Sequence, residues 1–290
     1  MSALDRIAGA PISWGVCEVP GWGYQLSPER VLSEMRDVGI RATEFGPDGF
    51  LPDAPAEKAR VLASYNLLAV GGFVPAVVHD PAQDPAPAID RALEGFVAAG
   101  ARVLVLAAAT GSEGYDERPT LGSKEWDTLF GNLDRLAERA DKRGVRLVLH
   151  PHVGTVIERE DEVRRVLAGS SVPLCVDTGH LLIGGTDPLT LVREVPSRIG
   201  HMHLKDVSAA WAVRVQKGEI TYTEAVRAGI YRPLGQGDVG VGAVVRALED
   251  AGYDGWYVME QDAILHEAPE GEGPLADVRA SIAFLRGLGA

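Results

Sequence analysis

Cysteine is scarce in this chain. Cys17 and Cys175 are the only two in 290 residues, too few for a fold framed by disulfides. Each reads as a small buried residue rather than a reactive thiol. Positive charge is also in deficit, with 28 Lys and Arg against 41 Asp and Glu and a formal net charge of -13. Such a protein repels phosphate backbones and anionic lipid headgroups, so neither nucleic acid nor a membrane is an expected partner. No Lys/Arg cluster reverses this locally. No apolar run approaches a transmembrane span, and the opening MSALDRIAGAPISWG lacks the apolar stretch of a signal peptide. The cytoplasm is the expected compartment. There is no GxxxxGK[ST] loop, no GxGxxG at a strand-to-helix junction and no serine nucleophile elbow; GQGDVG follows a loop.

What is present is an ordinary balance of 46% hydrophobic and 24% charged residues. The length accommodates one (β/α)8 barrel, which needs about 250 residues, or two ordinary domains. The pattern decides between them. Short runs rich in Val, Ile and Leu recur at Ile7–Gly15, Arg41–Phe45, Leu67–Val74, Arg102–Ala107, Val145–His150, Pro173–Asp177, Arg198–Leu204 and Trp256–Glu260. Near-continuous apolar strands are what a parallel sheet covered on both faces requires. Helical patterns lie between them. Pro28–Val38 follows Ser27 as N-cap and stops at Gly39. Glu125–Arg143 stops at Gly144, Asp161–Ala168 at Gly169, and Val239–Ala251 at Gly252. A glycine just past a helix is the expected left-handed cap. DVGIRATEF, AAGARVLVL, KRGVRLVLH and DAGYDGWYV therefore repeat one device: helix end, glycine turn, next strand. The expected fold is α/β, a single (β/α)8 TIM barrel over residues 1–290. One segment breaks the rhythm. Residues 206–238, after the seventh strand, hold an extended loop with about one extra helix, on the face where barrel active sites are built.

The polar residues gather at the strand ends. Strand two ends in Glu44. Strand five ends in His150, with His152 two residues on. Strand six ends in Asp177, with His180 three residues later. Strand seven carries His201 and His203, then Lys205, and strand eight ends in Glu260. In a closed parallel barrel these ends converge on one mouth. A lone histidine is more often a hydrogen-bonded core residue than a ligand. Here, however, five of seven histidines fall at the ends of strands five to seven, with only His79 and His266 elsewhere. Imidazoles and carboxylates together suit a divalent ion such as Mn, Co, Zn or Fe, with manganese favoured. Such an ion, with open positions for a carbonyl and a hydroxyl, stabilises an enolate. Residues two apart on a strand share a face, so His150 with His152, and His201 with His203, can both face inward. His150 ends the apolar run and is assigned to the metal. His152 follows Pro151, where the strand is leaving the sheet, and is assigned to substrate contact or proton transfer. Glu44 reads equally as a helix cap or a functional carboxylate. Asp262 reads as a loop or capping residue. After strand one, ISWGVCEVPGWGYQ brings Trp14, Trp22 and Tyr24. Aromatic faces there suit the C–H face of a sugar ring, or plug the barrel top.

The phrases PISWGVCEVPGWG, HPHVGTVIE, DTGHLLIGGTDP, RIGHMHLKDV, PLGQGDV and GWYVMEQD resemble the xylose-isomerase-like TIM-barrel superfamily of sugar phosphate isomerases and epimerases. Within it they are most similar to the inosose dehydratases (2-keto-myo-inositol dehydratases) and their actinobacterial relatives. The resemblance covers nearly the whole chain. It implies metal ligands at His150, Asp177, His203 and Glu260, with histidine where many relatives have a glutamate at strand five. It also implies substrate contacts at His180, Lys205 and Glu158. With one carboxylate fewer, a two-base epimerase mechanism is less favoured than a lyase, which needs one base and one acid. The expected activity is therefore metal-dependent dehydration of a keto-cyclitol or keto-sugar. Base and acid come from Glu260, His152, His180 and Lys205, in an order the sequence leaves open. The alternatives are an isomerase or epimerase of a ketose or inosose, and a non-catalytic sugar-binding or partner subunit. The expected partner is a small polyol or sugar carbonyl compound; a homo-oligomer is left open.

Overall fold

The computed structural model describes residues 3–288; residues 1, 2, 289 and 290 of the expected 1–290 domain lie outside the described residues. The strands, in chain order, are β1 (Ile7–Gly9), β2 (Ala42–Glu44), β3 (Leu68–Ala76), β4 (Val103–Ala108), β5 (Arg146–Leu149), β6 (Leu174–Asp177), β7 (Ile199–Leu204), β8 (Asp206–Val207), β9 (Tyr231–Arg232) and β10 (Tyr257–Met259). The first seven and β10 pair in parallel and close into a barrel, in the order β1-β10-β7-β6-β5-β4-β3-β2. The eight runs read from the sequence are these eight strands. The first is shorter than expected. It stops at Gly9, and Pro11–Trp14 forms a 3-10 turn closed by Gly15, because Pro11 has no N–H to continue the ladder.

Inside the barrel the side chains are small: Ala8, Ala10, Ala42, Val70 and Val258 form one cluster on the side of β1, β2, β3 and β10, and Val105, Val148 and Cys175 another on the side of β4, β5 and β6. The larger core lies outside, where Leu104, Leu106, Leu147 and Leu149 of the strands meet Leu93, Leu129, Leu133 and Leu136 of the helices. Alternation along each strand makes both layers. The helix Pro28–Asp37 begins as expected, with Ser27 accepting from the Arg30 N–H. The turns at Gly39, Gly144 and Gly252 have φ of 84°, 71° and 79°, the left-handed geometry that glycine tolerates. Gly169 differs. It sits within the helix Glu160–Gly169, which is capped by Ser170 in extended geometry. A Cβ there would lie 2.5 Å from the Phe130 ring, so this glycine serves close packing rather than a left-handed turn.

The segment after β7 holds two helices, Ala209–Gln216 and Tyr222–Arg227, rather than one. The second starts in a capping box between Thr221 and Glu224. β8 and β9 form a small antiparallel ribbon at its base. The buried Asp206 carboxylate anchors it, accepting from the N–H groups of Val207, Gly235, Gly237 and Val239 at 2.8–3.1 Å. Among the described residues no helix is long and apolar enough to cross a membrane.

Candidate metal and catalytic centre

The C-terminal ends of the strands open into one cavity. Glu44, His150, His152, His203, Lys205, Glu260 and Asp262 line it from the barrel; Cys17, Glu18, Trp22, Phe73 and Tyr115 line it from the loops and β3. The polar groups are held by backbone continuity. Asp177 pairs with His203 across β6 and β7. His150, one residue past β5, still donates its N–H to Leu106 O at 2.8 Å, and Glu260 donates to Leu204 O at 3.0 Å. His152 has left the ladder and donates to Ile157 O within a turn.

Among the described residues, four groupings of side chains have metal-ligand spacing, each with its ligand atoms within 4.8 Å of one another: Asp177, His203 and Glu260; Glu44, His201 and His203; His150, His152 and His180; and His150, Cys175 and His203. The second is closed on itself. Glu44 Oε1 accepts from His201 Nε2 at 2.8 Å and His203 Nε2 at 3.0 Å. The third faces a cation, because Lys205 Nζ lies 3.0 Å from His180 Nε2. His152 Nδ1 is also engaged, at 2.6 Å from Val153 O. The first grouping brings two buried atoms without a hydrogen bond together with a second carboxylate. His203 Nδ1 is 3.3 Å from Glu260 Oε2 and 3.7 Å from Asp177 Oδ2. Both His203 Nδ1 and Asp177 Oδ2 are buried without a hydrogen bond, as is His150 Nδ1. Buried polar atoms of this kind call for a partner, and two carboxylates with an imidazole suit a divalent cation. His150 does not join this trio directly. It shares a grouping with His203 and Cys175, its ring centroid 5.0 Å from that of His203. The expected four ligands are thus three in one cluster, with the fourth beside it.

Charge in the site follows from burial and proximity. Burial raises Asp177 to about 6, against the pull of Lys205 and His203. For Glu44 burial acts upward, but His203 and His201 outweigh it and hold the carboxyl well below the ordinary range. Burial pushes His150 well down, helped by His203 and His152, and takes His152 down to about 4, helped by Lys205. Both imidazoles are neutral near pH 7. Burial disfavours the Lys205 ammonium, yet Asp262, Glu260 and Asp177 hold it well above the ordinary lysine range. A neutral His152 whose Nδ1–H donates to Val153 O keeps Nε2 as a free acceptor. The site therefore presents a neutral imidazole acceptor and an ammonium donor on one cavity.

Other expected site residues lie elsewhere. Trp14 is fully buried in the core, its indole N–H donating to Glu34 at 2.7 Å. It does not line the cavity; it packs in the core and is tied to the helix Pro28–Asp37 through Glu34. Trp22 does line it, tied by its N–H to Ala263 O at 3.0 Å. Glu158 also lies off the cavity. Its carboxylate accepts from Gly154 N–H at 2.8 Å and pairs with Arg118, in a neighbouring cleft. The residues between His152 and Glu158 curl back through Thr155, which directs Glu158 sideways. His180 sits behind the cavity wall, its ring stacked 3.7 Å from that of His152. It reaches the cavity through His152 and Lys205 rather than directly. Asp262 lies in a loop, as expected, but it is buried there and ion-paired with Lys205. Tyr115, Tyr222 and Tyr231 carried no strand-end signal. Only their clustering as aromatics near long loops could have drawn attention to them. Cys175 is buried as expected, whereas Cys17 is half-buried and borders the cavity; burial pushes both thiols upward, away from the thiolate.

Comparison with known proteins places this geometry in context. Residues 32–288 match the pattern of the xylose isomerase-like TIM barrel family. An inosose dehydratase of Geobacillus thermodenitrificans (strain NG80-2) is 31% identical over 267 residues, covering 89% of each chain. The rhizopine catabolism protein MocC of Rhizobium meliloti is 34% identical over 266 residues, covering 89% of this chain and 81% of its own. Among solved structures, the IolI protein with a bound zinc atom superposes with a TM-score of 0.69 at 12% identity, covering 97% of both chains, a likeness of fold.

Proposed function

This chain belongs to the xylose isomerase-like TIM-barrel family, and on that premise we propose that it is a metal-dependent dehydratase of a keto-cyclitol, of the inosose dehydratase kind. The observation that carries the reading is a carboxylate–imidazole cluster that reaches the cavity through His203 and Glu260, beside one neutral acceptor and one cationic donor on the same cavity. Asp177, His203 and Glu260 are the proposed ligands, with His150 as the fourth, and manganese the proposed ion. Bound there, such an ion supplies Lewis acidity to the substrate carbonyl.

The remaining chemistry falls to the side chains. His152 Nε2 takes the proton from the carbon beside the carbonyl. Lys205 gives a proton to the hydroxyl on the next carbon. That C–O bond breaks, its electron pair leaves with the oxygen as water, and a C=C bond forms next to the carbonyl. One base and one acid suffice, in keeping with histidine rather than a second carboxylate at the end of β5. Trp22, Phe73 and Tyr115 supply the apolar faces that a cyclitol ring presents its C–H groups to. The cytoplasm is the proposed compartment, in keeping with two unpaired cysteines.

Incubation of the manganese-loaded protein with an inosose tests this. A dehydratase yields a dione absorbing in the ultraviolet. In heavy water, deuterated starting material or its stereoisomer without that absorbance would instead assign an epimerase.

A further inference from the structure

Among the described residues, Lys205 is the only lysine or arginine lining the cavity, and its position is fixed from behind. Its Nζ is ion-paired with Asp262 Oδ1, 3.0 Å from His180 Nε2 and 3.2 Å from Glu260 Oε2. The other oxygen of Asp262, Oδ2, accepts from the Tyr222 hydroxyl at 2.7 Å, and that hydroxyl lies 2.8 Å from the hydroxyl of Tyr231. The Tyr231 ring also sits under the ammonium, 5.4 Å from Nζ. All of these groups are buried. The members come from three separate parts of the chain: Lys205 just after β7, Asp262 just after β10, and both tyrosines from the segment between them.

From this juxtaposition we infer that Asp262 and Tyr222 are positioning residues, a two-part clamp through which the segment after β7 aims the Lys205 ammonium at the departing hydroxyl. The inference rests on the dehydratase reading for the role of Lys205, but not for the clamp itself. The physical reason is geometric. A lysine stem has four rotatable bonds, and an ammonium free to rotate would settle on whichever carboxylate is nearest. Here that competitor is Glu260, a proposed metal ligand. Nζ already lies 3.2 Å from Glu260 Oε2, and its shorter ion pair with Asp262 keeps it from closing further, for as long as the Asp262 carboxylate is itself held. A carboxylate on a loop has two rotamer directions open to it. The Tyr222 hydroxyl fills the second lone-pair site and removes one of them. Tyr222 is in turn placed by its helix. That helix begins in the Thr221 capping box and is tied to the neighbouring loop by the Thr223 N–H on Asp116 at 2.9 Å. The long segment after β7 thus reaches the chemistry through one hydroxyl.

Three variants and two readouts test the clamp. Asp262→Asn keeps the shape and removes the charge. It should lower kcat about 10- to 100-fold with KM changed less than about twofold and metal content unchanged. Tyr222→Phe removes one oxygen and should lower kcat about 5- to 10-fold. In the double variant the Tyr222 change should cost less than about twofold more, because it acts through Asp262. The second readout needs no turnover: in a crystal structure of manganese-loaded Asp262→Asn, Nζ should have moved from its wild-type position toward Glu260, with the barrel unchanged. If Nζ stays in place in that variant, or if the two substitutions multiply independently in kcat, the clamp is wrong. If the wild-type protein converts no inosose while Nζ moves as described, the dehydratase reading fails and the clamp stands.

Discussion

His203 donates from Nε2 to Glu44 Oε1 at 3.0 Å, and this single bond leaves Nδ1 as the ring's free ligand atom, facing Asp177 and Glu260. An outer carboxylate that fixes the tautomer and tilt of a ligand histidine raises its basicity and shortens its search for the metal. Glu44 does this while also holding His201 at 2.8 Å. Glu44→Gln should therefore weaken manganese binding about 10- to 100-fold without removing a ligand. Titration of the apo-protein with manganese, followed by calorimetry, reads this directly. Unchanged affinity would mean that His203 is oriented by its strand alone.

The trio itself makes a harder demand. Asp177→Ala or Glu260→Ala should lower metal content and activity together, while far-ultraviolet circular dichroism stays that of the wild type. Both residues stand at strand ends where the backbone is already paired, so neither holds the barrel together. Full activity in a metal-free Glu260→Ala protein would remove the cluster from the mechanism.

The two tryptophans of the first loop separate stability from binding. Trp14 is fully buried among core residues, with its N–H on Glu34. Trp14→Ala should cost about 3–5 kcal/mol of stability and leave KM nearly unchanged in the protein that remains folded. Trp22 borders the cavity, so Trp22→Ala should raise KM about 5- to 20-fold. Substrate should change the fluorescence of the Trp14→Phe protein, which retains Trp22. A KM effect from Trp14 and none from Trp22 would reverse the assignment.

These outcomes track what the sequence could carry. A strand end is a local feature: apolar run, polar residue, turn. For that reason the sequence marks His150, Asp177, His203 and Glu260 as candidates and leaves Glu44 open between cap and functional carboxylate; in the fold all five stand at the C-terminal ends of barrel strands. The barrel was legible for the same reason, since each helix–glycine–strand phrase repeats the last. Gly169 escaped because packing against Phe130, a tertiary contact, puts a glycine where a cap would also put one. Glu158 escaped because spacing along a turn does not give its direction, and the curl through Thr155 sends it to Arg118. Asp262, Tyr222 and Tyr231 meet only when β10 and the segment after β7 are folded together. No periodicity records that meeting.

His150 and His152 are two residues apart and both face the cavity, yet their backbones differ, and the difference decides their roles. His150 N–H is bonded to Leu106 O, which continues the β4–β5 ladder by one residue, and its Nδ1 is buried without a partner. A side chain on a paired backbone holds a ligand atom within the few tenths of an ångström that a metal site tolerates. His152 lies past Pro151, in a turn, with Nδ1 occupied by Val153 O at 2.6 Å. Its free Nε2 borders the cavity, and stacking on His180 fixes the ring plane. His150→Ala should thus reduce manganese affinity, with activity restored in part at high manganese. His152→Ala should bind manganese as the wild type does and lose about 100-fold or more in kcat, the usual range for removing a general base. Parallel metal titrations and steady-state kinetics on the two variants distinguish them. A crystal structure of the manganese form with His152 Nε2 at about 2.1 Å from the ion and His150 turned away would exchange the two roles. If both coordinated, His152 could not also take the substrate proton, and the base would have to be sought in Glu260.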